Sequence, residues 1–93
     1  MSNSSARLII KGCVQGVWFR GWTVKVANKI GLSGWVRNRA DGSVEAVFYG
    51  DSAKIESMIG KCYCGPAAAS VEDIEVLYEN IEVESGFKQI STL

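Results

Sequence analysis

Hydrophobic residues along the chain alternate with polar ones in some stretches and recur at helical spacing in others. Because successive side chains of a strand point to opposite faces, alternation predicts strands. In the first of them, over residues 7–14, the positions Leu8, Ile10 and Val14 share one face. Further strands are predicted over residues 34–39, over 43–49, within 71–83 and, as a short last strand, over 87–90.

Two stretches carry apolar residues every three to four positions, which is the spacing of one helix face. Over residues 22–30, the positions Thr23, Ala27 and Ile30 form one stripe that Val26 borders. The second predicted helix lies between residues 51 and 65, and its stripe consists of Ile55, Met58, Ile59 and Cys62.

Glycine, proline and aspartate mark the ends of these elements. Gly31 is placed to stop the first helix in a left-handed conformation, and the Gly-Pro pair at 65–66 ends the second. Asp51 can cap the N-terminus of the second helix. The Asp-Gly pair at 41–42, between two strands, predicts a tight hairpin.

The strand over residues 43–49 has a regular alternation of side chains. One face of such a strand packs on the core while the other meets solvent. We expect Val44, Ala46 and Phe48 to point inward and Glu45, Val47 and Tyr49 to point outward.

The order strand-helix-strand-strand-helix-strand, followed by a short edge strand, predicts an α+β fold. Two right-handed crossovers that flank a hairpin give an antiparallel or mixed sheet with both helices on one face, which is the ferredoxin-like α/β sandwich. A chain of 93 residues suffices for one domain, so we expect residues 1–93 to form one, with a flexible N-terminus over residues 1–6.

Charge is balanced overall but unevenly distributed. Residues 1–61 hold nine Lys and Arg against four Asp and Glu, whereas residues 62–93 hold one against six. One end of the molecule could therefore favour an anion, and a dipolar, solvated surface is the alternative. The acidic residues between positions 72 and 84 are expected to keep the outer face or edge of the sheet soluble.

Several classes of protein are excluded by composition. The chain has no histidine, which removes histidine-based acid–base catalysis and the commonest metal ligand. Its three cysteines form neither a complete disulfide framework nor a Cys-x-x-Cys metal motif, so we expect no metal and no cofactor. No apolar run reaches the roughly 18 residues of a membrane span, and residues 1–7 do not resemble a secretory signal, which favours the cytoplasm.

The stretch from Gly12 to Arg20 joins a strand to a helix through a glycine-containing loop. Backbone N–H groups in such a loop, together with the helix N-terminus, can hold an anion, and the guanidinium of Arg20 can contact two phosphate oxygens. The alternative is that the glycines only shape a turn. Trp22 stands where a nucleotide-binding P-loop needs lysine, which excludes that class of ATPase.

Asn38 ends the second predicted strand. Its amide both donates and accepts hydrogen bonds, so it could orient a water molecule. An asparagine before a turn also commonly bonds the local backbone, which is the alternative. Arg37 and Arg39 flank Asn38 on the opposite face, where we expect them to be solvated.

Three motifs together resemble the acylphosphatase family. They are Gly12-x-Val-Gln-Gly-Val-x-Phe-Arg20, Gly31-Leu-x-Gly-Trp-Val-x-Asn38 and Asp41-Gly-Ser-Val-Glu45, within a match that runs from about Leu8 to Val76. The resemblance implies the same ferredoxin-like fold. It also implies hydrolysis of the carboxyl–phosphate bond of small acyl phosphates to carboxylate and inorganic phosphate, without metal or covalent intermediate.

The resemblance also assigns roles to residues. It implies that Asn38 positions the attacking water and that Arg20 is the phosphate-binding arginine. The remaining phosphate-binding positions that it implies are Gln15, Gly16, Val17, Trp18 and Phe19. The phosphate of the substrate would itself accept the proton of the water.

Trp18 departs from the family pattern, because that position is often small. We expect its ring to pack on or cover the loop; the alternative is that it narrows the mouth of the cradle and shifts substrate preference. We expect a monomer that binds neither nucleic acid nor membranes. The alternative function is a non-catalytic anion-binding or regulatory module of the same shape, since fold alone does not determine function.

Overall fold

The computed structural model describes residues 3–92, which form five strands and two helices. In chain order these are β1 (Asn3–Cys13), α1 (Phe19–Ile30), β2 (Ser33–Asn38), β3 (Val44–Asp51), α2 (Ser52–Cys64), β4 (Ser70–Tyr78) and β5 (Phe87–Gln89). None of the helices within residues 3–92 is long and apolar enough to cross a membrane.

The strands form one mixed sheet in the order β4-β1-β3-β2-β5. β3 pairs antiparallel with both β1 and β2, and β5 pairs parallel with β2. The helix α1 packs against β2 and β5, whereas α2 packs against β1, β3 and β4. This is the ferredoxin-like α+β arrangement that the element order predicts.

The core lies between the sheet and the two helices. Leu8 and Ile10 of β1 and the inward residues of β3 are fully buried, as their alternation predicts. The predicted helical stripes are confirmed at their centres, since Thr23 and Ala27 of α1 are buried and three of the four stripe positions of α2 are buried, while Ile59 is half-buried. The fully buried positions of α2 are Ile55, Met58 and Cys62. Burial raises the pKa of the Cys62 thiol to about 12.

β1 begins at Asn3 rather than at Arg7, which corrects the expectation of a flexible segment over residues 3–6. Ser5 and Ala6 pair with the far end of β3 and are buried, so the ladder extends beyond the part of β1 that alternation shows. Residues 1 and 2 of that predicted segment lie outside the described part of the chain.

The predicted caps at Gly31 and Asp51 are confirmed. Gly31 adopts a left-handed conformation at φ 97°, and its N–H donates to the Ala27 carbonyl. The Asp51 carboxylate accepts a hydrogen bond of 2.8 Å from the Ala53 N–H at the start of α2. α1 begins at Phe19, three residues before the predicted start.

The hairpin between β2 and β3 has a three-residue loop. The Arg39 N–H donates to the Ser43 carbonyl, and the Gly42 N–H donates to the Arg39 carbonyl. Gly42 has φ 94°, which is the left-handed residue that follows the turn in hairpins of this length. Asp41 stabilises the turn by accepting bonds from the N–H and hydroxyl of Ser43, which lower the pKa of its carboxyl.

The outer face of β3 differs from the prediction. Tyr49 is exposed, but Glu45 and Val47 are buried. β3 is the central strand of the sheet, so residues of β1 and β2 flank it on both sides and cover its outer face.

Glu45 is buried because two arginines enclose it. The Nε of Arg37 donates to Glu45 Oε1 at 2.8 Å, and Arg7 forms an ion pair with Oε2. Burial alone would raise the pKa of Glu45, but the hydrogen bonds and charges of the two arginines hold it below its ordinary value. Arg37 also lies 4.9 Å from the ring of Trp35, so the expectation of a solvated Arg37 is wrong.

The two edge strands are short or charged. On β4, Ile74 is buried but Tyr78 is exposed, because Tyr78 lies at the end of the strand. The acidic residues of β4 are exposed on this edge, as predicted; they are Glu72, Asp73 and Glu75.

β5 is held in place mainly through Phe87. Its ring stacks on Phe48 at a centroid distance of 5.1 Å, and the side-chain amide of Asn28 bonds both its N–H and its carbonyl at 3.1 Å. The strand spans Phe87–Gln89, one residue shorter than predicted.

We expect Glu45→Gln to lower the free energy of unfolding by about 1–3 kcal/mol at pH 7, because both arginines lose an ionised partner on a buried face. A carboxyl whose pKa is depressed in the folded state stabilises the protein above its unfolded pKa and loses that contribution as pH falls through the folded pKa. The deficit of the variant should therefore shrink as pH falls below the ordinary value of 4.5. Urea unfolding of the wild type and the variant between pH 7 and pH 3 measures this difference in the free energy of unfolding.

The control is Glu56→Gln on the exposed face of α2. This variant should differ from the wild type by less than about 0.5 kcal/mol throughout. Equal effects of the two substitutions at pH 7, or a Glu45→Gln deficit that does not change with pH, would contradict this account of the cluster.

Candidate active site

The candidate site lies where three strands end. β1 and β2 run in the same direction because both are antiparallel to β3, and β5 runs parallel to β2. Their C-terminal ends therefore meet at one edge of the sheet. A cavity of about 270 Å³ opens there and is lined by Val14, Gly16, Trp18, Phe19, Arg20, Gly21, Asn38 and Gln89.

The loop after β1 forms one wall of this cavity. α1 begins directly after Trp18, and its first turn contains no acidic residue. No side chain of residues 3–92 caps its N-terminus. The N–H groups of a first helical turn have no partner within the helix, and they carry partial positive charge. The wall therefore offers hydrogen-bond donors to an anion, as the loop motif predicts.

Apolar side chains fix the position of the loop. Val14 and Phe19, at its two ends, are buried in the core, and Val17 between them packs against the core. The ring of Phe19 lies 5.4 Å from that of Trp22. Phe19 therefore lines the cavity while most of its ring is used for packing, so Phe19 and Val17 could bind an anion only through backbone N–H groups.

The side chain of Gln15 bonds the backbone of the β2–β3 hairpin. Its side-chain amide donates to the carbonyls of Arg39 and Ser43 at 2.8 and 2.9 Å. Gln15 is also not among the residues that line the cavity. The side chain thus joins the loop to the β2–β3 hairpin, and phosphate binding by residue 15 stays a prediction for its backbone N–H.

Arg20 supplies the cation of the site. It is half-buried in the first turn of α1 and lines the cavity. The ion pairs within residues 3–92 involve Arg7, Arg37 and Lys88, and none involves Arg20. Its guanidinium is therefore available to an anion in the cavity.

Asn38 lies on the opposite wall, at the C-terminal end of β2. Its Oδ1 is buried and accepts no hydrogen bond from residues 3–92. Leaving a buried acceptor without a donor costs about 1–3 kcal/mol. The local backbone therefore does not satisfy the amide, which was the alternative for this residue, and a water molecule in the cavity could do so.

Gln89 is a cavity residue that the sequence analysis did not identify. It pairs with Val36 in the parallel ladder of β5 and β2, which brings it to the same edge as Asn38. Its amide can donate and accept, like that of Asn38. The signal that could have found it is the direction of the last strand, which the sequence pattern did not determine.

The donor set of the site suits an anion rather than a metal ion. The residues that line the cavity include one cation and two amides and no carboxylate, thiol or imidazole. Across residues 3–92, no group of three or more Asp, Glu, Cys or His side chains is placed to hold a metal.

A larger cavity, of about 590 Å³, is lined by Tyr49, Asn80, Ile81, Glu82 and Val83. It lies at the opposite edge of the sheet, where β3 ends. Because its only charged lining residue is a carboxylate, it is a poor site for an anion.

Known proteins resemble this chain along most of its length. The family model for acylphosphatases matches residues 6–89. The chain is 51% identical over 84 residues to an acylphosphatase of Rhodospirillum rubrum, covering 90% of this chain and 92% of that protein. It is 52% identical over 87 residues to an acylphosphatase of Rhizorhabdus wittichii, with coverage of 94% and 88%.

The fold is also shared with solved structures. The structure of an acylphosphatase from Coxiella burnetii superimposes with a TM-score of 0.91 at 31% sequence identity. The superposition covers 95% of this chain and 93% of that one. The resemblance therefore extends over the sheet, both helices and the site edge.

Proposed function

The chain belongs to the acylphosphatase family, hydrolases that act on acyl phosphates, and we propose that the cavity between Arg20 and Asn38 is its active site. One observation carries this proposal. A cation without a carboxylate partner and a buried amide oxygen without a donor, both judged over residues 3–92, line the same cavity.

The reaction needs few protein groups. Water attacks phosphorus, and the bond between phosphorus and the acyl oxygen breaks with both electrons leaving on a carboxylate. A carboxylate is a stable leaving group, so no general acid has to protonate it. The work that remains is to place the two reactants and to stabilise charge on the phosphoryl oxygens.

Arg20 and the loop would hold the phosphoryl group. The guanidinium contacts two phosphoryl oxygens, and the N–H groups of the first turn of α1 contact the remaining charge. These donors are fixed before substrate arrives, because Val14 and Phe19 hold the loop in the core. Such preorganised donors cost no reorganisation when charge develops in the transition state.

Asn38 would hold the attacking water. Its Oδ1 accepts a hydrogen bond from the water and leaves an oxygen lone pair directed at phosphorus. The proton of the water passes to an oxygen of the substrate phosphate, so no protein base is required. A cavity of about 270 Å³ has room for a phosphoryl group, a water and part of the acyl group.

Direct attack by water also fits the rest of the lining. No serine, threonine, cysteine, aspartate or glutamate is among the residues that line the cavity, so none offers a side-chain nucleophile for a phosphoenzyme. We therefore propose hydrolysis without a covalent intermediate and without a metal ion.

We also propose that the protein acts as a monomer in the cytoplasm. One copy of the chain brings both Arg20 and Asn38 to the cavity, so the proposed site needs no second copy, and the three cysteines are free, as in reducing compartments. Light scattering should give the mass of one chain, 10.1 kDa. A stable dimer at assay concentration would contradict the monomer.

We expect Arg20→Ala to lower kcat/KM for acetyl phosphate by about 30- to 1000-fold, equivalent to about 2–4 kcal/mol, and to weaken inhibition by inorganic phosphate. The loss arises because no other lining residue carries positive charge. Initial rates with a chelator present measure the effect, and the chelator should not slow the wild type.

The matched control is Arg39→Ala, which removes a nearby arginine that does not line the cavity. Its rate should stay within about threefold of the wild type, because a solvated charge acts only through a screened field. If the Arg20→Ala variant were folded and kept wild-type activity, the proposed phosphate contact would be wrong.

Asn38→Ala should lower kcat by about 100-fold while changing the dissociation constant of inorganic phosphate by less than about threefold. The variant removes the group that places the water and leaves the loop and Arg20 intact. Its free energy of unfolding should be unchanged or higher, since an unsatisfied buried acceptor is removed. Steady-state kinetics, isothermal titration with phosphate and urea unfolding test the three statements.

Asn80→Ala, an exposed asparagine of the larger cavity, is the control and should change none of these quantities. A large rise in the phosphate dissociation constant of Asn38→Ala would instead assign Asn38 to phosphate binding.

A further inference from the structure

Trp18 is the least expected residue at the cavity. It lines the cavity, yet 61% of its surface is exposed to solvent. It is not among the apolar residues that pack against the core. Among residues 3–92 it is also the only residue other than glycine with a positive φ, of 67°.

The backbone does not explain a tryptophan at this position. A left-handed conformation costs an L-residue roughly 1–2 kcal/mol, whereas glycine adopts it freely. An exposed indole adds contact of apolar surface with water. Strained residues persist most often where they serve a site, so the ring itself is the feature to be explained.

The ring lies on the first turn of α1. A side chain at position 21 would bring its Cβ within 2.7 Å of Trp18 Cδ1 and would overlap Nε1, so the indole rests directly on Gly21. The Trp18 carbonyl accepts a hydrogen bond of 3.0 Å from the Trp22 N–H, which fixes the residue as the start of the helix. The indole therefore packs against the first turn of α1, and it lines the same cavity as Arg20.

We propose that the indole of Trp18 is the acyl subsite, which makes planar or apolar acyl phosphates the preferred substrate class. This inference rests on the proposed function, because it assumes that the phosphoryl end is bound at Arg20. The acyl end of such a substrate must then leave the cavity past another lining residue. Two lining residues with side chains are exposed, Trp18 and Gln89, and of these Trp18 offers a flat aromatic face to an apolar acyl group.

The remaining lining residues agree with this substrate class. Arg20 is the one cation among them, and the phosphoryl group occupies it. An acyl chain that carries its own carboxylate would find no second positive partner in the lining. A planar, uncharged acyl group needs none, because stacking on the indole desolvates both apolar faces.

The experiment compares benzoyl phosphate with acetyl phosphate in wild type, Trp18→Gly and Trp18→Phe. Glycine keeps the positive φ and hence the loop, and phenylalanine keeps an aromatic face. We expect Trp18→Gly to reduce the ratio of kcat/KM for benzoyl over acetyl phosphate by roughly three- to tenfold, mainly through a higher KM for benzoyl phosphate. Trp18→Phe should retain at least half of the wild-type ratio.

Tyr63→Ala is the matched control, since it removes another exposed aromatic residue from α2. Its ratio should equal that of the wild type. Trp18→Asn, which also tolerates a left-handed conformation, should behave like Trp18→Gly and checks that the effect is not due to glycine flexibility.

An unchanged ratio in Trp18→Gly, or an equal loss for both substrates, would overturn the acyl subsite. Because benzoyl and acetyl phosphate carry the same phosphoryl group, the ratio of their kcat/KM values separates the acyl end from the phosphoryl end. Failure of the proposed function would look different: Arg20→Ala would then leave both rates unchanged.

Discussion

The antiparallel pairing of β3 with both of its neighbours is the constraint on which the structure depends. It makes β1 and β2 run in the same direction although they are not adjacent, so the loop after β1 and the end of β2 meet at one edge. Arg20 and Asn38 are 18 positions apart in the chain, yet they line one cavity. The same pairing encloses the outer face of β3, which is why a charged residue, Glu45, must be held there by two arginines.

The cavity has few polar side chains, one guanidinium and two amides, and hydrogen bonds to the surrounding backbone hold its walls. One side-chain amide, that of Gln15, spans the gap between the anion loop and the hairpin that follows Asn38. Neutral hydrogen bonds, rather than an ion pair, therefore hold the two walls of the cavity in position relative to each other. Within residues 3–92 no carboxylate pairs with Arg20, so its guanidinium is available for the phosphoryl contact that we propose.

The sequence predicted the parts of the molecule that local patterns encode. Element order and the helix caps at Gly31 and Asp51 follow from spacing and side-chain type, and the fold is confirmed. The role of Arg20 stays a prediction. The errors concern relations between strands. Burial of Glu45 depends on which strands flank β3, and the place of Gln89 depends on β5 running parallel to β2. The alternation of polar and apolar residues in one strand predicts neither which strands lie beside it nor in which direction they run.

The buried thiol of Cys62 can report on local unfolding of the core. Its side chain is fully buried, and burial raises the pKa of the thiol to about 12, whereas Cys13 and Cys64 are exposed. An alkylating reagent reaches Cys62 only when α2 separates from the sheet. The rate at which Cys62 is alkylated, after Cys13 and Cys64, therefore reports how often α2 separates from the sheet in the native protein.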